Sequence, residues 1–119
     1  MTEFIITGRA GGKTRHLLQR MLEEDDLYYF THSAQAADYA FDTACRMAEE
    51  QDIPLEAEEI AALRKRFIRH RGPGMSRDRR IVVDNLDLIL AQMFGYSRVE
   101  AVTATGTITS LTTPEGNPE

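Results

Sequence analysis

The chain has 119 residues, 42% of them hydrophobic, and a formal net charge of −5. That is enough for one buried core, and it excludes both a basic polyanion-coating protein and an acidic disordered one. The lone cysteine, Cys45, cannot form an internal disulfide, and Met1 to Thr7 lack the apolar run and basic flank of a signal peptide, so a reducing, cytoplasmic setting is expected. No stretch approaches the roughly 18 apolar residues of a membrane span and neither end carries a lipidation motif, so no membrane partner is expected.

Glu3-Phe4-Ile5-Ile6-Thr7 is short, apolar and β-branched and stops at Gly8, Gly11 and Gly12, which predicts a buried strand. From Lys13 to Glu24, Leu17, Leu18, Met21 and Leu22 recur at helical spacing until Asp25-Asp26 breaks the pattern. Leu27 to Thr31 reads as a second strand. Ser33 is placed to cap a long helix whose apolar positions run from Ala36 to Ala48 and which ends near Asp52. After Pro54, Leu55 to about Arg69 predicts another helix, acidic in its first half and basic in its second, matching the helix dipole at both ends. The stretch between Arg69 and Arg80 contains Gly72-Pro73-Gly74 and no apolar period, so it reads as a loop.

Arg80-Ile81-Val82-Val83-Asp84 predicts a third strand, Leu86 to Phe94 a short buried helix closed by Gly95, and Val99 to Thr103 the start of a fourth strand. This alternation implies an α/β fold: a mostly parallel sheet of about four or five strands covered by helices on both faces in three layers, with the ligand site at the carboxyl ends of the strands. Residues 1–111 form the expected domain. Thr112 to Glu119, with Pro114, Gly116 and Pro118, reads as a flexible tail.

Gly8-Arg9-Ala10-Gly11-Gly12-Lys13-Thr14 falls between the first strand and the first helix. In that context glycines turn successive N–H groups toward an anion, and the helix that follows presents its positive N-terminal end to the same phosphates. The expected nucleotide-binding residues are Gly8, Arg9, Ala10, Gly11, Gly12, Lys13, Thr14 and Arg15. Lys13 is expected to reach the β- and γ-phosphates as a catalytic point charge, and the Thr14 hydroxyl to hold magnesium. The pattern G-x-x-x-x-G-K-[ST] places its first position at Thr7 rather than at a glycine. The bland alternative is a glycine-rich turn with a solvated lysine.

Asp84 closes the apolar run Ile81-Val82-Val83 about 70 residues after the loop, where a strand-terminal carboxylate holds magnesium through water. It is therefore a second candidate catalytic and metal residue beside Thr14. An Asp capping the following helix is the alternative, and both roles are compatible. The next position is Asn85, which cannot accept a proton from water. Asp87 is the nearest replacement carboxylate, more simply read as a solvated helix residue.

Together, Gly8 to Thr14 and Ile81 to Asp84 resemble the Walker A and Walker B motifs of the P-loop NTPase superfamily, and the strand and helix order extends the resemblance over roughly residues 3–105. This implies a small P-loop NTPase-like domain that binds ATP or GTP with Mg2+, with hydrolysis coupled to a partner or nucleic acid. Arg9 just inside the loop is similar to the deviant Walker A of phage large terminases. Phe30 to Ala37 resembles the strand-to-helix segment that follows in that family, and Thr112 to Asn117 its coupling motif. Asn85 stands where those ATPases carry a catalytic glutamate, and neither their adenine-recognising segment before the first strand nor their nuclease domain is expected. The resemblance therefore implies a small, phage-type relative of such ATPase cores, working in the host cytoplasm. The alternatives are a slow-turnover nucleotide-binding regulatory module and a small-molecule kinase.

Eight of the fourteen basic residues lie between Arg64 and Arg80: Arg64, Lys65, Arg66, Arg69, Arg71, Arg77, Arg79 and Arg80. Such a cluster in an acidic chain points to an anionic partner: nucleic-acid phosphates, a nucleotide on a neighbouring subunit of a homo-oligomer, or the acidic stretch Glu49 to Glu59. A solvated loop is the plain alternative. His16, His32 and His70 are scattered and without paired cysteines, which gives a zinc site little support. Cys45, on the apolar face of a helix, reads as core. His32 lies at the end of the second strand, on the ligand-facing edge of the sheet.

Overall fold

The computed structural model describes residues 2–6, 12–69 and 79–110. Among these residues the chain forms a small α/β domain in the order β1 (Glu3–Ile6), α1 (Lys13–Glu23), β2 (Leu27–Phe30), α2 (Ala34–Glu50), α3 (Ala57–Lys65), β3 (Phe67–Ile68), β4 (Arg80–Val83), α4 (Leu86–Met93) and β5 (Thr107–Ser110). Every strand pairing is parallel, as the alternation of strands and helices requires. The expected single sheet is instead divided in two. Strands β3-β2-β4 form one sheet and β1-β5 the other.

The helices start where local chemistry dictates. Ser33 caps α2, its hydroxyl accepting from the Ala36 N–H at 3.0 Å. Gly12 begins α1 from a left-handed conformation, φ 79° and ψ 11°, which a side chain would strain. In α3, Glu58 and Glu59 occupy the first turn and Arg64 and Lys65 the last, both favourable to the dipole.

Three sequence expectations are corrected. Helix α3 stops at Lys65 rather than near Arg69, and Phe67–Ile68 becomes a strand beside Tyr29–Phe30. The cause is Arg66: its guanidinium donates to the Met21, Glu24 and Leu27 carbonyls at 2.9–3.0 Å, and its own carbonyl accepts from the Tyr29 N–H at 2.8 Å. The final strand lies at Thr107–Ser110, not at Val99–Thr103. Gly106 explains the shift, because any Cβ there would collide with the Thr2 carbonyl and the Phe4 ring as the chain enters its pairing with β1. Helix α4, expected to be buried, buries Ile89 and leaves Leu86, Leu88 and Met93 exposed.

One face of the three-stranded sheet carries the core. Tyr29 stands in register with Val82 and Phe67. With Leu27 they meet Leu17, Leu18 and Met21 of α1, Ala40, Phe41, Ala44 and Met47 of α2, and Leu63 of α3. The Tyr29 and Phe67 rings lie 5.0 Å apart, and Phe41 meets Phe67 edge-on at 5.7 Å, both favourable aromatic arrangements. Strand side chains alternate between faces, so the other face presents Tyr28 and Phe30 beside Ile81 and Val83. Ile81 is 40% and Val83 46% exposed on this face, where buried Ile89 of α4 lines a small cavity with Phe30.

Candidate functional site

The carboxyl ends of β2 and β4 meet the amino end of α1. Asp84 follows the last residue of β4, and its N–H donates to the Phe30 carbonyl at 2.9 Å, so the backbone stays tied to β2 one residue beyond the strand. Its side chain therefore points to the same face as Val82, toward the helices, and is only 2% exposed. The Thr14 hydroxyl, in the first turn of α1, donates to Asp84 Oδ2 at 2.7 Å. The Tyr29 hydroxyl donates to that same oxygen at 2.6 Å. Asp84 does not cap the following helix; Asn85 occupies that position in a left-handed conformation with φ 59° and ψ 47°.

Burying an ionised carboxylate costs several kcal/mol, and a hydrogen bond to a charged group returns about 1.5–3 kcal/mol. Two hydroxyls offset much of the cost at one oxygen. Among the described residues Oδ1 has no hydrogen-bond partner. Burial, reinforced by the bond to Asp84, pushes the Tyr29 phenol above its ordinary range. Tyr29 thus remains a donor at all ordinary pH values.

Behind the carboxylate lies a second polar layer. Thr31, 3% exposed, donates to the Asp84 carbonyl at 3.2 Å and accepts from Asn85 Nδ2 at 3.2 Å. His32 Nδ1 is 3.3 Å from the same Thr31 oxygen. The groups open onto a cavity of about 570 Å³ whose lining includes Thr14, Tyr29, His32, Tyr39, Arg46 and Asp84.

Among the described residues no three His, Cys, Asp or Glu side chains gather into a metal-binding group. A single carboxylate and one hydroxyl nevertheless fit a cation whose remaining ligands are waters and phosphate oxygens, the usual mode of magnesium.

Of the residues singled out in the sequence, the structure brings Thr14 and Asp84 into direct contact and places Gly12 and Lys13 at the start of α1. Gly8, Arg9, Ala10 and Gly11 lie outside the described residues. Arg15 is exposed and 3.8 Å from Glu50, an ion pair of little energetic weight. Asp87 lies exposed in the first turn of α4. Half-buried Cys45 packs against the core. Burial and then the charge of Asp42 push its thiol up, away from nucleophilic chemistry.

The described arginines of the basic segment have partners within the fold. Arg69 Nε is 3.1 Å from Asp38, with Arg64 at 4.0 Å from the same carboxylate. Arg80 bonds both Asp26 and Glu24 at 2.9 Å, Arg79 stacks over the Tyr28 ring at 4.2 Å, and Arg66 holds backbone carbonyls. Their acidic partners are Asp38, Glu24 and Asp26 rather than the stretch Glu49 to Glu59. His70, Arg71, Arg77 and the segment Thr112 to Asn117 fall outside the described residues.

Sequence reasoning passed over Tyr29 and Thr31. Their signal was present: a tyrosine inside a buried strand needs a partner for its hydroxyl, and a threonine at the end of that strand sits on the same edge as Asp84.

Among the described residues no helix is long and apolar enough to cross a membrane. Compared with known protein families, curated proteins and solved structures, the chain matches no family model, no curated protein and no solved structure.

Proposed function

We propose that this protein binds a nucleoside triphosphate, ATP or GTP, with magnesium at the amino end of α1 and hydrolyses it. The observation that carries the reading is the 2.7 Å bond between Thr14 and Asp84. It joins a hydroxyl that directly follows Gly11-Gly12-Lys13 to a buried strand-end carboxylate 70 positions away, and these two residue types hold magnesium beside a bound triphosphate. Thr14 and Asp84 would hold the ion, which when bound would neutralise charge on the β- and γ-phosphates. Lys13 would supply a second positive charge, and the helix N-terminus, with residues Gly8 to Gly12, the backbone donors.

On this reading the two parallel sheets are parts of one P-loop NTPase-like domain. The same bond supports it, since α1 emerges from β1 yet touches the end of β4. A phage-terminase-like origin, a nucleic-acid or subunit partner for the segment 64–80 and assembly into a homo-oligomer belong to the same proposal, with the short sequence likenesses as their support. A slow-turnover regulatory module is the second reading. It is favoured by Asn85, whose amide donates to Thr31 and replaces the carboxylate that would activate water.

Calorimetric titration with ATP and with GTP, each with magnesium, tests the proposal. Wild type should bind one of them, and Lys13→Ala should bind at least tenfold more weakly, about 1.4 kcal/mol. Equal binding by both proteins would remove the phosphate-loop assignment.

A further inference from the structure

The position after Asp84 carries an amide, Asn85, rather than a carboxylate; besides Asp84 the cavity is lined by Glu50, exposed beside Arg15, and by a proton acceptor of another kind. His32 follows Thr31 at the end of β2, and its ring meets the Thr31 hydroxyl through Nδ1. The Thr31 hydroxyl has one proton and two lone pairs. Its proton goes to the Asp84 carbonyl, which can only accept, and one lone pair accepts from Asn85 Nδ2. With that assignment a lone pair remains for His32 Nδ1, 3.3 Å away, and Nδ1 is assigned as the donor. In a neutral imidazole with hydrogen on Nδ1, Nε2 is the acceptor nitrogen.

The placement agrees. His32 lines the 570 Å³ cavity together with Thr14 and Asp84, and on its other side helps to line a smaller cavity of about 110 Å³ with Thr31 and Ile89. His32 thus lines both cavities, with its ring against the Thr31 hydroxyl. Asn85, unable to act as a base, fixes the base through Thr31, and its left-handed backbone conformation accompanies that amide contact.

We propose that His32 Nε2 is the catalytic proton acceptor of nucleotide hydrolysis, with Thr31 and Asn85 as the residues that position it. The inference rests on the nucleotide-binding reading above. The water oxygen bonds to the γ-phosphorus and its proton passes to His32 Nε2. The bond between that phosphorus and the oxygen bridging to the β-phosphate breaks, and its electron pair leaves with the nucleoside diphosphate. The proton then returns to the released phosphate, so no further reactant is needed.

The test uses the full chain and measures Mg-ATP binding and steady-state release of phosphate for wild type, His32→Ala, His32→Gln and Thr31→Val. General acid–base groups contribute about 100- to 10,000-fold to a rate. Both His32 variants should therefore turn over at least about 100-fold more slowly with Mg-ATP affinity unchanged. Added imidazole should restore part of the rate of His32→Ala, an effect that a merely structural histidine would not show. Thr31→Val should lower kcat by less than the loss of the ring, with KM unchanged.

Wild type that fails to bind Mg-ATP removes the underlying reading and this inference with it. Wild type that binds without turnover overturns the role of His32 while leaving the binding site intact. So does a His32→Ala or His32→Gln rate equal to wild type, or a fall that imidazole does not restore at all.

Discussion

Asp84 and the arginines of segment 64–80 hold charge in opposite ways. Asp84 is a single carboxylate, 2% exposed, whose contacts among the described residues are two hydroxyl donors crowded onto one oxygen. The described arginines lie at or near the surface, and their counter-ions, aromatic faces or backbone carbonyls are already in place. A charge count along the sequence draws attention to the second region, where eight cations fall in seventeen positions. Burial, with two hydroxyl donors on one oxygen, draws attention to the first. A buried charge is costly unless it is paired or bound, whereas an exposed ion pair contributes little to stability.

The sharpest way to break this comparison is to neutralise Asp84. Asp84→Asn should weaken magnesium-dependent nucleotide binding by about two orders of magnitude, about 2.8 kcal/mol. It should also leave the melting temperature of the metal-free protein undiminished, because it removes a buried negative charge. Calorimetry with and without magnesium, beside a thermal melt, checks both. An apo protein that melts several degrees lower while still binding nucleotide would make Asp84 a residue of the fold alone.

Arg66 differs from the other described arginines of the basic segment because its guanidinium serves backbone carbonyls. Removing it leaves the Met21, Glu24 and Leu27 carbonyls without the guanidinium that joins the end of α1 to the start of β3. Arg66→Ala should destabilise the protein by about 1.5–3 kcal/mol, measured by urea denaturation, and leave nucleotide affinity unchanged. A neutral effect would place Arg66 with its solvated neighbours.

These contrasts show what was legible in the sequence. The runs of strands β1, β2 and β4 and the caps of α1 and α2 follow from apolar period, glycine and Ser33, all local signals. Thr14 and Asp84 could each be singled out because the residues beside them form recognisable patterns. Their contact, and the part of Tyr29 in it, depends on bringing chain segments 55–70 positions apart together, which no local pattern encodes. Strand β3 was missed for the same reason: Phe67 and Ile68 continue a helical pattern, and tertiary hydrogen bonds from Arg66 and Tyr29 override it. The exposed side of α4 was misread because apolar spacing marks a face without saying what covers it.

Tyr29 offers a pH test. Its phenol is raised in the folded protein by burial and by the bond to Asp84, and ionises near its ordinary value of about 10 when the chain unfolds. The stabilisation is complete below that value. It declines as pH rises beyond it, because the unfolded chain then releases a proton that the folded one retains. Denaturation midpoints should fall above about pH 10 in wild type and fall less in Tyr29→Phe. That variant should also lose about 1 kcal/mol at neutral pH from the missing hydrogen bond. Parallel alkaline profiles would mean that the Tyr29 hydroxyl is not confined.

The smallest effect is expected at Arg80, although it makes the shortest ion pairs in the basic segment. Glu24 and Asp26 are held below their ordinary carboxyl range chiefly by hydrogen bonds from Arg80, with Arg20 second at Glu24. A carboxylate lowered in the fold contributes stability that is present above its unfolded value. That stability is lost as pH falls through the folded value, so any contribution here disappears on the acid side of about pH 4. All of these groups face water, where side-chain entropy and screening leave little net gain. Arg80→Ala should therefore shift the denaturation midpoint at neutral pH only slightly, less at high salt than at low, and slightly flatten the acid limb of the profile. A loss at Arg80 as large as that at Arg66, and insensitive to salt, would show that the segment's exposed charges sustain the fold and would dissolve the contrast with Asp84.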